Sequence, residues 1–361
     1  MIKYLLGCLA VCWLTGSALA YRPAAPGEIW VSPSGNDANP GTADAPLATL
    51  ATALRKAREQ RRLGDPSIKD GIHIILRGGT YPLTEPVFIR PEDGGTPTSP
   101  TVIEAATGED PVLSGGVSIQ HWKKVTTPMP GLPAAAKGKV YVADAPIIGG
   151  HVLSFRQLWV NGKKATRARD ADKDDQLLRI LSVDRQHQEI WIPVPAHVKL
   201  PDQPGQMEMI IHQMWAIAVL RIKTMERVGD RLKLHFWEPE GPIEFQHPWP
   251  AAVMDSAHQQ NGNSAFFLTN ALELLDQPGE WYEDLAKGKV YYWPRDGEDL
   301  SRDTVTAPVL TTLVRMTGTI DRPVSYVHWK HIGFSFSTWM RPSEAGHVPL
   351  QAGLYLLDRI N

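Results

Sequence analysis

Carboxylates set beside aromatic rings are the residues with which a chain could hold a sugar and cleave it, and this sequence of 361 residues carries them in two stretches. Acid-assisted cleavage of a glycosidic bond uses two carboxylates flanking that bond, close together for retention and further apart for inversion. Glu238 and Glu240 lie two apart and would share one face of an extended segment, yet Pro239 between them favours a loop and a solvated pair. Glu280, Glu283 and Asp284 surround Trp281 and Tyr282; the string suits a sugar site, and it also suits a hairpin turn with a packed Trp, the preferred reading. Arg167 and Arg169 are spaced to share one strand face. They suit an anionic sugar, a surface salt bridge or a domain interface, and the interface is preferred. His328 and His331, three apart in a segment read as strand, project to opposite faces and cannot share a metal. No HExxH, P-loop, GxGxxG or GxSxG pattern occurs, so no cofactor and no metal is expected.

The elements that must position these groups are short. Thirty glycines and thirty prolines favour many brief strands joined by turns over long helices. Ser32 to Asp37 and Asn39 to Thr42 are dense in turn formers. After Pro46 the period changes: Leu47, Leu50, Ala51, Leu54 and Ala57 recur at three and four, which predicts one amphipathic helix, the only long one. From Ile72 the period is two, with Ile72, Ile74 and Leu76 on one face, then strands at Val87 to Ile89, Val102 to Ala105 and Val112 to Ser114. Between Lys124 and Pro308 the strands lengthen, as in Glu189 to Val194, Glu208 to His212, Arg231 to Trp237 and Lys289 to Trp293, and this stretch carries most of the Trp. Short strands with Gly-rich corners suit a solenoid of stacked rungs, and a β-sandwich gives similar local signals.

Export is expected from the first twenty residues, where Lys3, the apolar run Leu5 to Leu14 and Ala18-Leu19-Ala20 follow the order of a signal peptide. Leu5-Leu6-Gly7-Cys8 looks like a lipobox, but Cys8 comes too early for a full apolar stretch to precede it. Cys8 and Cys12 are the only cysteines, so removal of that segment leaves no disulfide and no thiolate nucleophile. Net charge is −2 with both signs evenly spread, which argues against nucleic acid, and no other stretch is apolar enough for a membrane span.

Ile29 to Asp37, Asn39 to Thr42 and Ala45 to Leu50 together resemble the opening of secreted right-handed parallel β-helix proteins, and Ile74 to Tyr81 resembles their first rung. Gln157 to Lys163 with Ala168-Arg169, Pro278 to Tyr282 and Val290 to Pro294 are similar to segments of a bacterial subgroup close to glycoside hydrolase family 141. The resemblance implies a mostly β fold: a signal peptide over 1–20, an N-terminal cap and first rungs over 21–123, a β-rich inserted lobe over 124–308, and a resumed β-helix over 309–361. It implies a polysaccharide or oligosaccharide as partner. Catalytic acids would be expected on later rungs than this sequence reaches, so no catalytic residue is transferred, and the sequence reads as the N-terminal part of the architecture, truncated at a strand over 354–361. Trp339, His347 and Gln351, where the solenoid resumes, and Trp215, after His212-Gln213-Met214, are the candidate sugar contacts. Two other readings stay open: a non-catalytic carbohydrate-binding or cell-surface module, and a polysaccharide lyase, for which the sequence offers no acidic calcium cluster.

Overall fold

The computed structural model describes residues 27–196, 198–213, 216–246, 251–252, 254 and 262–340, and the backbone of 347–349. They are mostly β and divide into two compact units. The first contains 27–81, 87–112 and 316–333; the second contains 82–86, 113–315 and 334–340 among the described residues.

In the first unit, strands Glu28–Val31, Ile72–Leu76, Thr101–Ala105 and Val327–Lys330 form one sheet in that order, every neighbouring pair parallel. The register stacks Ile29 on Ile74 on Ile103 on Trp329, a column of apolar side chains on one face, as strand alternation requires. The one long helix among the described residues, Leu50–Leu63, buries Leu50, Ala53, Leu54 and Ala57. Leu50, Leu54 and Ala57 lie on the buried face as their spacing predicts, whereas Ala51 is exposed and Leu47 lies before the helix in an extended bridge to Val31. Thr49 caps the first turn by accepting from the Thr52 amide, and Gly64 ends the helix in the left-handed region at φ 63°. Asp93 is buried in a 3₁₀ turn and accepts from Arg58 at 2.6 Å. His331 also departs from expectation. It sits past the strand at φ 56°, and both it and His328 are exposed.

The second unit is built on two large sheets. One runs in the order Gly116–Ile119, Val305–Pro308, Leu158–Val160, Lys163–Arg167, Glu280–Asp284, Lys289–Tyr292, Tyr141–Asp144, Lys123–Lys124. All its pairings are antiparallel except Lys163–Arg167 with Glu280–Asp284. The other runs Leu178–Arg179, Ala265–Thr269, Glu208–Gln213, Ala216–Val228, Arg231–Phe236, Glu189–Pro193, Ser182–Asp184. Alternation along Val290 to Trp293 shows how the first sheet is used on both faces. Val290 and Tyr292 enter a core with Phe155, Leu158, Val160 and Trp281, while Tyr291 and Trp293 enter the core of the second sheet with Ile211, Leu220 and Phe266. Glu240 overturns the reading of a solvated pair. It is fully buried at the start of the short helix Glu240–Gln246 and held by Arg221 through both carboxylate oxygens, whereas Glu238 is exposed. Glu280, Glu283 and Asp284 are buried with Trp281, in keeping with the packed reading.

Candidate functional site

Asn161 and Gly162 join strands Leu158–Val160 and Lys163–Arg167 with φ 49° and 73°, the positive pair that a two-residue hairpin needs to match strand twist. That turn fixes the register Leu158–Ala165 and carries Arg167 to the end of the strand. There its guanidinium carbon lies 5.7 Å from the centre of the Trp281 ring, which stacks in turn on Phe155 at 5.0 Å. Glu208, first residue of the facing strand Glu208–Gln213, is buried between two cations. Arg156 donates to it from Nε and Nη2, the latter at 2.7 Å, and Arg167 donates from Nη1 at 2.5 Å. Burial opposes ionisation of Glu208, but the two guanidinium groups outweigh it and pull its pKa down to about 2.

These residues line a cleft of about 470 Å³ with Gln157, Lys164, Arg169, Ile210, Val219, Phe267 and Thr269. The floor is apolar, from Ile210, Val219 and Phe267, and the wall is cationic. Arg169 lies 5.7 Å over the Phe267 ring and donates to the Asp172 carbonyl. Among the described residues Glu208 is the only acidic one in the lining. Glu283 lies behind it, buried, with its pKa raised to about 8 by burial first, against the pull of Arg167. Glu280 is pushed up to about 8 by burial as well, and its carboxylate accepts from the amides of Asp276 and Gln277. Among the described residues no group of three or more His, Cys, Asp or Glu is placed to hold a metal, and no helix is long and apolar enough to cross a membrane.

Of the four sugar-contact candidates, Trp339 stands beside this cleft. It is 39% exposed, and its neighbours are tied to lining residues: Thr338 donates to Gln157 at 2.8 Å, and the Met340 carbonyl accepts from Arg156 at 3.0 Å. The backbone of His347 pairs with Ala218 in strand His347–Pro349. Trp215 and Gln351 lie outside the described residues. Arg167 and Arg169, read as an interface pair, instead spend their contacts inside the second unit, on Glu208 and Asp172. Sequence reasoning missed Arg156, Lys164, Glu208 and Phe267. One signal was available: a Glu opening the otherwise apolar run Glu208 to Ile211 needs a cation once that strand is buried.

The family model described as the GH141 insertion domain matches residues 138–295, which contain every residue of the cleft lining. A solved structure titled "Glycoside hydrolase" is 50% identical, with a TM-score of 0.81 over 91% of this chain and 54% of its own. Pectate lyase PEL9 of Emericella nidulans is 30% identical over 151 residues, 41% of this chain and 31% of that protein. A further structure, "The complex structure of XylC with xylose", is 14% identical with a TM-score of 0.38, over 88% of this chain and 36% of its own, too low for a shared fold. The chain therefore spans about half, or less, of the relatives it matches. The resemblance to glycoside hydrolase family 141 read from Gln157 to Lys163 and Pro278 to Pro294 is borne out, since both segments fall within the GH141 insertion domain.

Proposed function

We propose that this chain is part of an exported, polysaccharide-directed protein of right-handed parallel β-helix type, and that the cleft of its GH141 insertion domain binds a glycan without cleaving it. The four-stranded parallel sheet of the first unit, with its apolar column Ile29, Ile74, Ile103 and Trp329, supports stacked rungs. The observation that carries the functional part is the state of Glu208. A carboxylate accepting from two arginines, with its pKa drawn to about 2, has no proton to give a leaving group at neutral pH and is a poor nucleophile. Among the described residues no second acid lines the cleft to complete a pair, while its apolar floor and polar wall are what a sugar ring requires.

Isothermal titration of the purified protein against oligosaccharides from plant polysaccharides should give saturable binding, with no reducing sugar released on long incubation. Turnover that survives Glu208→Gln would place catalysis elsewhere in the chain. Turnover abolished by it would overturn the binding-only reading. A second reading draws on the relative named a pectate lyase. Appearance of an unsaturated uronate chromophore on polygalacturonate would favour it over hydrolysis and over binding alone.

A further inference from the structure

We infer that the cleft of the second unit takes an acidic sugar, one bearing a carboxylate or a sulfate ester, and that Lys164 and Arg169 receive its negative charge. The inference rests on the glycan-binding reading above and specifies its ligand. Among the described residues four cations line the cleft, Arg156, Lys164, Arg167 and Arg169, against one carboxylate. Glu208 is held by Arg156 and Arg167 together, so the clamp itself keeps a net positive charge.

The two remaining cations are not neutralised to the same degree. Lys164 is exposed, and its ammonium has no partner among the described residues. Arg169 lies 3.7 Å from an Asp172 carboxylate oxygen, near enough for attraction and beyond hydrogen-bond range. The Arg169 side chain is 33% exposed, so its guanidinium can meet an anion that enters the cleft and donate to it. Phe267, under the Arg169 guanidinium, gives the apolar face against which the C–H side of a sugar ring packs. Cationic wall and apolar floor together match a ring with one charged substituent better than they match a neutral sugar or a free inorganic anion.

The test measures binding of the full chain to four probes at low and high salt: oligogalacturonate, its methyl ester, a sulfated oligosaccharide and a neutral xylo-oligosaccharide. Oligogalacturonate is expected to bind at least about tenfold tighter than its methyl ester, with the preference shrinking as salt rises. Lys164→Gln and Arg169→Gln should each weaken that binding about tenfold and reduce its preference over the ester. Lys164 is exposed, so its variant tests the site even if Arg169→Gln disturbs folding, which thermal denaturation would reveal. Tight binding of the sulfated probe alone, lost in the same variants, would support the anion site and identify the sulfate ester as its source. Equal binding of acidic and neutral probes would overturn this inference and leave glycan binding standing. Binding of none of the four would overturn both.

Discussion

Glu208 shows how one buried charge can organise a cleft while contributing no chemistry of its own. Its two cations arrive from separate segments, Arg156 ahead of the hairpin and Arg167 at its far end, and Arg156 also holds the Met340 carbonyl. Replacing Glu208 by Gln keeps the shape and removes the charge, leaving two buried guanidinium groups facing each other. Loss of one partner from a buried ion pair costs about 3–5 kcal/mol, so Glu208→Gln should lower the unfolding free energy by that order. Adding Arg167→Gln to it should cost less than the sum of the two single changes, because the second removes a charge the first left unpaired. Denaturant titration of the two single variants and the double variant measures this coupling, and strict additivity would show that the three groups do not act as a unit. The sign with pH follows from the depressed pKa. The contribution of Glu208 is complete above about 4.5, the ordinary value for Glu, and is lost as pH falls from there through about 2.

At the scale of elements, the opening of the first unit is held by turns whose residue types have identifiable tasks. Asp37 accepts from the amides of Ala48 and Thr49, both at 2.9 Å, and Asn39 donates to the Pro46 carbonyl at 2.9 Å, so the loop from Ser32 closes on the start of the helix. Gly35 is pressed against that closure. A Cβ there would stand 2.2 Å from the Leu47 carbonyl oxygen, and backbone is what would have to yield. Gly35→Ala should therefore destabilise the protein by about 2 kcal/mol or more, at the upper end of what single changes do. An unfolding midpoint equal to that of the unchanged protein would refute it. The turn formers and the strand Ile72–Leu76 were legible in the sequence because each is a local pattern with a local cause. The start of the helix was not, because Leu47 is apolar for the sake of an extended bridge to Val31 and mimics a helical position. Nor was the cleft. Arg156, Arg167, Glu208 and Phe267 meet only through the registers of two sheets, Leu158 with Ala165 in one and Ile210 with Phe267 in the other. Glu240 was misjudged for the same reason, since its partner Arg221 comes from a strand that no spacing rule connects to it.

For the whole molecule, four buried carboxylates divide into two groups whose effects on stability have opposite signs. Glu208 is pulled down to about 2, whereas Glu244 is raised to about 7 and Glu280 and Glu283 to about 8, in each of these three by burial first. A carboxyl raised in the folded state keeps its proton there after the unfolded chain has lost it. Its contribution is complete below about 4.5 and declines as pH rises through the folded value. Between about pH 4.5 and 7 the three raised acids all act in this direction, each giving a slope of about 1.4 kcal/mol per pH unit at most. Below about 4.5 Glu208 opposes them, its stabilising charge being lost as the pH falls. The two trends place the maximum of stability on the acid side of neutrality, near the point where an unfolded Glu titrates. Glu283 offers the cleanest test, since it is buried and its Oε1 has no hydrogen-bond partner, so a neutral side chain of the same shape can take its place. Glu283→Gln keeps the shape and cannot ionise. The melting temperature of the unchanged protein should fall steadily from about pH 5 to 8, and the variant should fall less steeply over that window while matching it at pH 5. Parallel curves would mean that Glu283 is charged in the folded protein, with Arg167 rather than burial setting its state. Arg167 would then be shared between two carboxylates, and the positive charge available in the cleft for an acidic sugar would be smaller by one.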